Sequence, residues 1–303
     1  MLNQSAADAL LKIQTAHRSR YSLRSSAVLF VAAILLTLSL IAPLILLMQS
    51  AFLNEQHQFV GFENFAAYFS NPALISSIFN SMWIAITAML ITVSLASVYA
   101  FALTNRNIRG KAFFKTVAFL PILAPSILPS LALVYLFGQQ GVFKGIMGEV
   151  QIYGPLGILI SYCFWLFPAM VMLMMGAFRH IDQRLIEASH ALGKNTLETH
   201  WAVTFPAIRY GLVSACLVAF TYVITDFGIP KVIGGSFNMM ALDVYKQIIG
   251  QQNMNMGAVI SILLLCPAVL AFIFDRYQSR RQERYQNFQI QPYRLRANPR
   301  IEK

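Results

Sequence analysis

The sequence predicts an all-α membrane protein of six spans, with both termini on the cytoplasmic side. Three observations predict it: the composition, the length of the apolar blocks, and the alternation of basic residues between successive loops. Of 303 residues, 57% are hydrophobic and 12% are charged, and the mean hydropathy is +0.59. A soluble domain is about 25% charged, so a water-soluble globule of this length would lack polar surface to cover it. The apolar blocks also reach the roughly 20 residues a helix needs to cross about 30 Å of hydrocarbon.

The six blocks are Ala27–Leu47, Ser81–Leu103, Val117–Phe137, Leu156–Phe178, Leu212–Ile229 and Gly257–Phe274. Arg18, Arg20 and Arg24 precede the first, as they would a secretory signal. Its apolar run of about 21 residues exceeds the roughly 7–15 of a signal core, so it reads as an uncleaved span. Of the 23 Lys and Arg residues, only Lys144, Lys231 and Lys246 fall in loops on one side. The others, including Arg106, Arg109, Lys111, Lys115, Arg179, Arg184, Lys194 and Arg209, fall on the opposite side with the termini. Positive residues stay cytoplasmic, which gives an N-in, C-in topology. The net charge of +11 therefore reports orientation in a bilayer rather than binding to nucleic acid. Cys163, Cys216 and Cys266 all lie in apolar blocks and read as packing residues, not as a disulfide framework or a metal site.

The chain divides into a cytoplasmic N-terminal segment (1–26), a six-helix transmembrane domain (27–275) and a basic cytoplasmic tail (276–303). In the first external loop, Gly61-Phe62-Glu63-Asn64-Phe65 and Asn71-Pro72 predict a short folded segment at the interface. Span three carries Pro121, Pro125 and Pro129, whose four-residue spacing would place them on one helical face. Each removes a backbone hydrogen bond, and such breaks persist in a membrane only where protein or a wet cavity satisfies the backbone. The prolines suit a bent helix beside a conduction path, and equally a kinked packing helix.

The cytoplasmic loop between spans four and five is the most informative stretch. Arg184, Glu187, Ala188, Ala191 and Leu192 fall at helical spacing, and Gly193 is placed to end that helix as a left-handed cap. Asn195 and Glu198 resemble a capping box that starts a second helix, which Pro206 would end before span five. A helix–Gly–helix exposing alanines and one carboxylate is shaped to enter a groove on a partner.

This loop resembles the EAA signature of permeases in binding-protein-dependent ABC importers. The pattern is Glu-Ala-Ala, three residues, Gly, nine residues, an aliphatic, one residue, an apolar residue and Pro. The chain matches at Glu187, Ala188, Gly193, Val203, Phe205 and Pro206, with Ser189 in place of the second Ala. The resemblance implies a six-span type I importer permease of the bacterial inner membrane, with the helix before Gly193 as coupling helix. Glu187, Ala188, Ser189, Ala191, Leu192, Gly193, Phe205 and Pro206 would then form the coupling region. It also implies ABC ATPase subunits, a second permease subunit and a periplasmic binding protein as partners. No G-x-x-x-x-G-K-[ST] phosphate loop occurs in the sequence, so ATP and Mg would be held by the partner ATPase and no cofactor by this chain.

Asp226, in Thr225-Asp226-Phe227-Gly228-Ile229-Pro230-Lys231, is the charge set deepest in an apolar context by sequence. It lies roughly 22 Å up span five from its cytoplasmic start. Intramembrane charges are expensive and point to function. Asp226, Gly228, Pro230 and Lys231 read as an external gate region, with Asp226 satisfied by backbone N–H groups, Thr225 or Lys231. The alternative is that Asp226 and Lys231 mark where the helix meets water. The run Thr225–Gly235, with Tyr245-Lys246-Gln247 and Gly250-Gln251-Gln252-Asn253, looks most like permeases for 2-aminoethylphosphonate, relatives of the ferric-iron permeases. That resemblance implies 2-aminoethylphosphonate as solute, with ferric iron or another small anion as alternative.

An ion-coupled carrier would show intramembrane carboxylates or paired broken helices, and by sequence only Asp226 qualifies. A membrane enzyme fits poorly, because His17, His57, His180, His190 and His200 are scattered and form no H-E-x-x-H motif. Catalytic residues are therefore not expected. Reporter fusions after Phe65 and Gln252 should be external, and those after Lys111, Lys194 and Arg284 cytoplasmic. One reversed position would remove or add a span.

Overall fold

The computed structural model describes residues 28–105, 108–147 and 151–285. The N-terminal segment with its arginines, Arg106, and the tail beyond Tyr285 lie outside the described residues. Five helices are long and apolar enough to cross a membrane: Val28–Ser50, Pro72–Thr104, Pro155–Phe178, Thr196–Thr225 and Met254–Gln278. The remaining span is a bent pair, Lys111–Leu123 and Ile127–Phe137, meeting at 99°. Each of the six expected apolar blocks is thus helical, the third as a broken pair, and among the described residues the only β pairing is an isolated bridge between Leu53 and Phe59.

The main core lies where spans two, four and five meet. Apolar side chains gain nothing from leaving lipid for protein, so helices associate through close packing, which small residues permit. Ala85, Ala88, Ala96 and Ala100 of span two are fully buried there, with Met170 and Met174 of span four and Ala215 and Ala219 of span five. Spans four and five approach closely at Gly211, where an added Cβ would stand 2.4 Å from the Ala177 Cβ. A second cluster at the external end joins Ala51, Tyr68, Leu74, Met240 and the start of span six at Ala258–Ile260.

Among the described residues, span one packs at this external end, through Leu47 and the adjoining Ala51. None of its apolar window is buried by the chain itself. The loops read as external gather at one end of the bundle. Asn80 Nδ2 donates to the Asn238 carbonyl at 3.0 Å, and the Met240 N–H donates to Ser81 Oγ at 2.8 Å. The Gly154 N–H reaches the Ile233 carbonyl at 2.8 Å.

The first external loop folds as its composition predicts. Glu63–Phe69 is a short helix, held to the end of span one by Asn64 Nδ2, which donates to the Ala51 and Leu53 carbonyls at 2.9 Å each. Phe52, Phe62 and Phe65 pack ring against ring beside it.

Three expectations need correction. The prolines of span three do not share a face, because the helix is broken rather than kinked. Pro121 lies in a 3-10 turn, Leu120–Leu123, and Pro129 in the first turn of Ile127–Phe137, where a missing N–H costs little. Pro125 makes the break: a residue before proline is driven out of the α region, and Ala124 is extended at φ −94, ψ 135. Pro206 does not end the helix begun at Asn195 either, since Thr196–Thr225 is continuous. A π-turn at His200–Thr204, with the Phe205 N–H bonded to the His200 carbonyl, takes up the proline's missing donor. Finally, the last helix continues to Tyr285, past the boundary expected at 275. Of the cysteines, Cys163 and Cys216 are half-buried, whereas Cys266 is exposed on span six.

Replacing Gly211 by Leu should separate spans four and five and cost about 1–3 kcal/mol. At Gly176 an added Cβ would meet nothing within 4 Å, so this position should accept Ala without loss. Retention of the folded protein after heating in detergent measures both, and equal stability of the two variants would contradict the packing described.

Candidate functional site

The structure brings two broken helices together near the external end. After Thr225 the chain turns extended at Asp226 (φ −76, ψ 131) and re-enters a short helix, Gly228–Ile233. Asp226 Oδ2 accepts from the Ile229 N–H at 3.0 Å. The Tyr162 hydroxyl of span four lies 3.3 Å both from that oxygen and from the Val223 carbonyl. The broken end of span five is therefore tied across the bundle. Gly228 packs on the break of span three, where an added Cβ would lie 2.9 Å from Ser126 Oγ. The other end of the short helix leans on span four, and a Cβ at Gly157 would meet Ile233 at 2.6 Å.

Of the sequence-predicted gate residues, Asp226, Gly228 and Pro230 lie in this junction, and Pro125 sits at the facing break. Pro121 and Pro129 flank that break. Asp226 is satisfied by a backbone N–H, as expected, but not by Thr225 or Lys231. The Thr225 hydroxyl donates to the Thr221 carbonyl at 2.7 Å. Lys231 Nζ sits over the rings of Phe227 and Tyr245, 4.9 and 4.1 Å from their centroids, a favourable place for a cation. Tyr162 was not legible in the sequence as a partner, because a lone Tyr in an apolar run carries no pairing signal.

Asp226 is also not the deepest charge. It is half-buried, whereas Asp243 is 4% exposed. Asp243 sits in a short helix, Met240–Tyr245, outside every span, so its burial could not be read from the length of an apolar block.

The cytoplasmic loop has the helix–Gly–helix form the spacing predicts. The first helix, Gln183–Ala191, is capped by Asp182, whose carboxylate accepts from the Arg184 N–H at 3.0 Å. Gly193 ends the turn at φ +79, a left-handed conformation that costs other residues about 1–2 kcal/mol. Asn195 and Glu198 form a complete capping box, with bonds of 2.9 and 3.0 Å. Glu187, Ala188, Ala191 and Leu192 are exposed together, Leu192 at 80%. Ser189 faces the other way: it is buried, and its hydroxyl lies 3.0 Å from that of Thr199. It clamps the two helices rather than presenting itself to a partner. Phe205 and Pro206 stand higher, on the span-five helix. Phe205 packs on Trp201 and lines an apolar groove of about 330 Å³ with Phe101 and Phe178.

These features define a class, a helical membrane permease with an exposed helix–Gly–helix cytoplasmic loop and a broken-helix external junction. Residues 93–284 match the family described as binding-protein-dependent transport system inner membrane component, and the chain belongs to that family. The fold is that of an ABC importer permease. A chain of a bacterial ABC transporter that imports the acidic polysaccharide alginate superposes with a TM-score of 0.66 at 14% identity, covering 84% of this chain and 94% of that one. The ferric transport system permease protein FbpB of Actinobacillus pleuropneumoniae is 30% identical over 57% of this chain. The chain spans only 27% of that relative's length. The spermidine/putrescine transport system permease protein PotB of Haemophilus influenzae is 22% identical over 71% of this chain and 78% of its own.

Asp226→Leu leaves the Ile229 N–H without an acceptor, a loss of about 1–3 kcal/mol, whereas Asp226→Asn keeps an oxygen there. The Leu variant should insert normally yet lose solute uptake, with Asn close to the parent and Tyr162→Phe between them. Parent-like uptake by the Leu variant would mean that Asp226 only marks where the helix meets water.

Proposed function

We propose that this chain is the permease subunit of an ATP-driven, binding-protein-dependent importer. The observation that carries the reading is the cytoplasmic helix Gln183–Ala191, whose exposed face of Glu187, Ala188, Ala191 and Leu192 ends at a left-handed Gly193. A small-residue face with one carboxylate suits insertion into a groove on an ATPase subunit. ATP and Mg belong to that partner. A second permease subunit, identical or not, completes the pathway, and the unburied first span offers it a surface.

Transport proceeds by alternating access. ATP draws two ATPase subunits together, the coupling helices move with them, and the two permeases rock to open outward. Solute then passes from a docked periplasmic binding protein into the cavity and leaves inward after hydrolysis. The junction of Asp226, Gly228 and the Pro125 break lies where an external gate is needed.

The solute read from the Thr225–Gly235 run is 2-aminoethylphosphonate. Among the described residues, the polar cavity beside this run, about 400 Å³, is lined by Gln139, Gln151, Tyr153, Gly154, Gly234, Gly235 and Ser236, none of them charged. Neutral hydrogen-bonding groups suit handing on a zwitterion rather than holding it, which leaves selection to the binding protein. Ferric iron is the second reading, favoured by the likeness to FbpB.

Co-purification of an ATPase with the full chain, and ATP-dependent uptake of 2-aminoethylphosphonate by reconstituted vesicles, test this. A Glu187→Lys, Gly193→Trp double variant should insert normally and lose uptake by at least about tenfold, or 1.4 kcal/mol of coupling. Normal uptake by that variant would remove the coupling role. Uptake driven by an ion gradient without ATP would instead make the chain a secondary carrier.

A further inference from the structure

A buried carboxyl outside the gate junction has no assigned role. Asp243 lies where three external elements converge: helix Glu63–Phe69, the start of span two, and its own helix Met240–Tyr245. Span two presents a row of polar groups to this corner. Ser81 Oγ accepts from the Met240 N–H, Asn80 donates to the Asn238 carbonyl, and Ser77 lies one turn earlier. The buried Tyr68 closes the corner from the short helix.

The hydrogen-bond inventory there is short of donors. The Tyr68 and Ser77 hydroxyls both reach the Leu74 carbonyl, at 3.1 and 2.8 Å. Each has one proton to give. Ser77 also lies within reach of the Asp243 carboxyl, so it serves one acceptor at the expense of the other. Asp243 Oδ2 is buried and has no hydrogen-bond partner. A carboxylate in that position would hold a negative charge with an empty acceptor, an arrangement that costs several kcal/mol. Protonation removes that charge, and the carboxyl O–H can donate to the Ser77 hydroxyl oxygen, leaving the Ser77 proton on the Leu74 carbonyl.

We propose that Asp243 is a proton-binding latch: protonated, it fastens helices 63–69 and 240–245 to the outer end of span two, and ionised, it releases them. Burial pushes the Asp243 carboxyl above the ordinary carboxylate range, against weaker pulls from the Ser77 hydroxyl and the Lys246 charge. Burial likewise raises Tyr68, partly offset by Ser77, and the Asp243 charge adds to the rise. An ionised Asp243 therefore opposes ionisation of Tyr68.

The charges around it offset its burial only weakly. Lys246 is exposed and donates to Asn238 Oδ1. Span two has no charged residue, and its Tyr99 bonds the Phe114 carbonyl towards the opposite end. Span six has no charged residue before Asp275, and Glu63 is exposed in the first turn of its short helix. Asp226, at the external end of span five, is bonded to Ile229 and Tyr162, and Tyr245 holds Lys231.

The sign follows from linkage. A carboxyl raised in the folded state contributes its stability in full below its unfolded value of about 3.9. That contribution falls as pH rises through the raised value, by up to about tenfold in the closing equilibrium per pH unit. The latch is thus closed at acid external pH and loosens as the medium becomes alkaline.

The test is hydrogen exchange on the full chain in lipid nanodiscs between about pH 5 and pH 9, corrected for intrinsic exchange. It does not depend on the importer reading, since no transport is measured. Protection of amides 63–69 and 240–245 should fall at alkaline pH in the parent and stay constant in Asp243→Asn. Should the Asn variant not assemble, the infrared carboxylic-acid band of the parent decides. A band that titrates away in step with the loss of protection supports the latch. Parent and variant with the same pH course, no such band at acid pH, or protection that follows sodium rather than pH would each overturn it.

Discussion

A backbone amide or carbonyl without a partner is more costly in hydrocarbon than almost any packing defect, and this fold is arranged around two places where helices must break. Pro125 and the Asp226–Phe227 turn each interrupt a span. Side chains and neighbouring elements answer both interruptions: Asp226 accepts from Ile229, Tyr162 reaches across from span four, and Gly228 lets the two breaks touch. The rest of the bundle supports that meeting point. The alanines of span two and the Gly211–Ala177 contact bring spans two, four and five close enough for Tyr162 to reach its acceptors.

The external cap extends the same logic outside the spans. Asn64, Asn80 and Ser81 all address backbone groups, so loops that connect the spans are fixed by satisfied polar contacts. Asp243 is the exception, with one oxygen left unanswered in a buried corner. The exception stands out because its surroundings are otherwise so fully paired.

Much of this was legible in the sequence. Five spans declared themselves by apolar length, and the cytoplasmic loop by Gly193 and the Asn195–Glu198 box, because those signals are local and depend on a few adjacent residues. The spacing of the span-three prolines misled, since a face requires a continuous helix and Pro125 abolishes it. Pro206 misled in the opposite direction: a π-turn absorbs it, and no sequence rule marks that turn. The Tyr162–Asp226 and Ser77–Asp243 pairings join residues far apart in the chain, and nothing in either segment names the other. Ser189, read with the exposed face of its helix, turned inward because Thr199 returns beneath it.

The continuity of Thr196–Thr225 has a mechanical consequence. A helix of 30 residues is a rod of about 45 Å, beginning at the turn that follows Gly193 and ending at the Asp226 junction. With no swivel at Pro206, a displacement applied at its cytoplasmic tip cannot be absorbed along the way. It arrives at the far end as a tilt of the whole rod about its packing against span four. The fulcrum is the Gly211 contact, which stands at the middle of the rod. A stroke below therefore becomes a sweep of about the same size and opposite direction above, as with a beam pivoted at its centre.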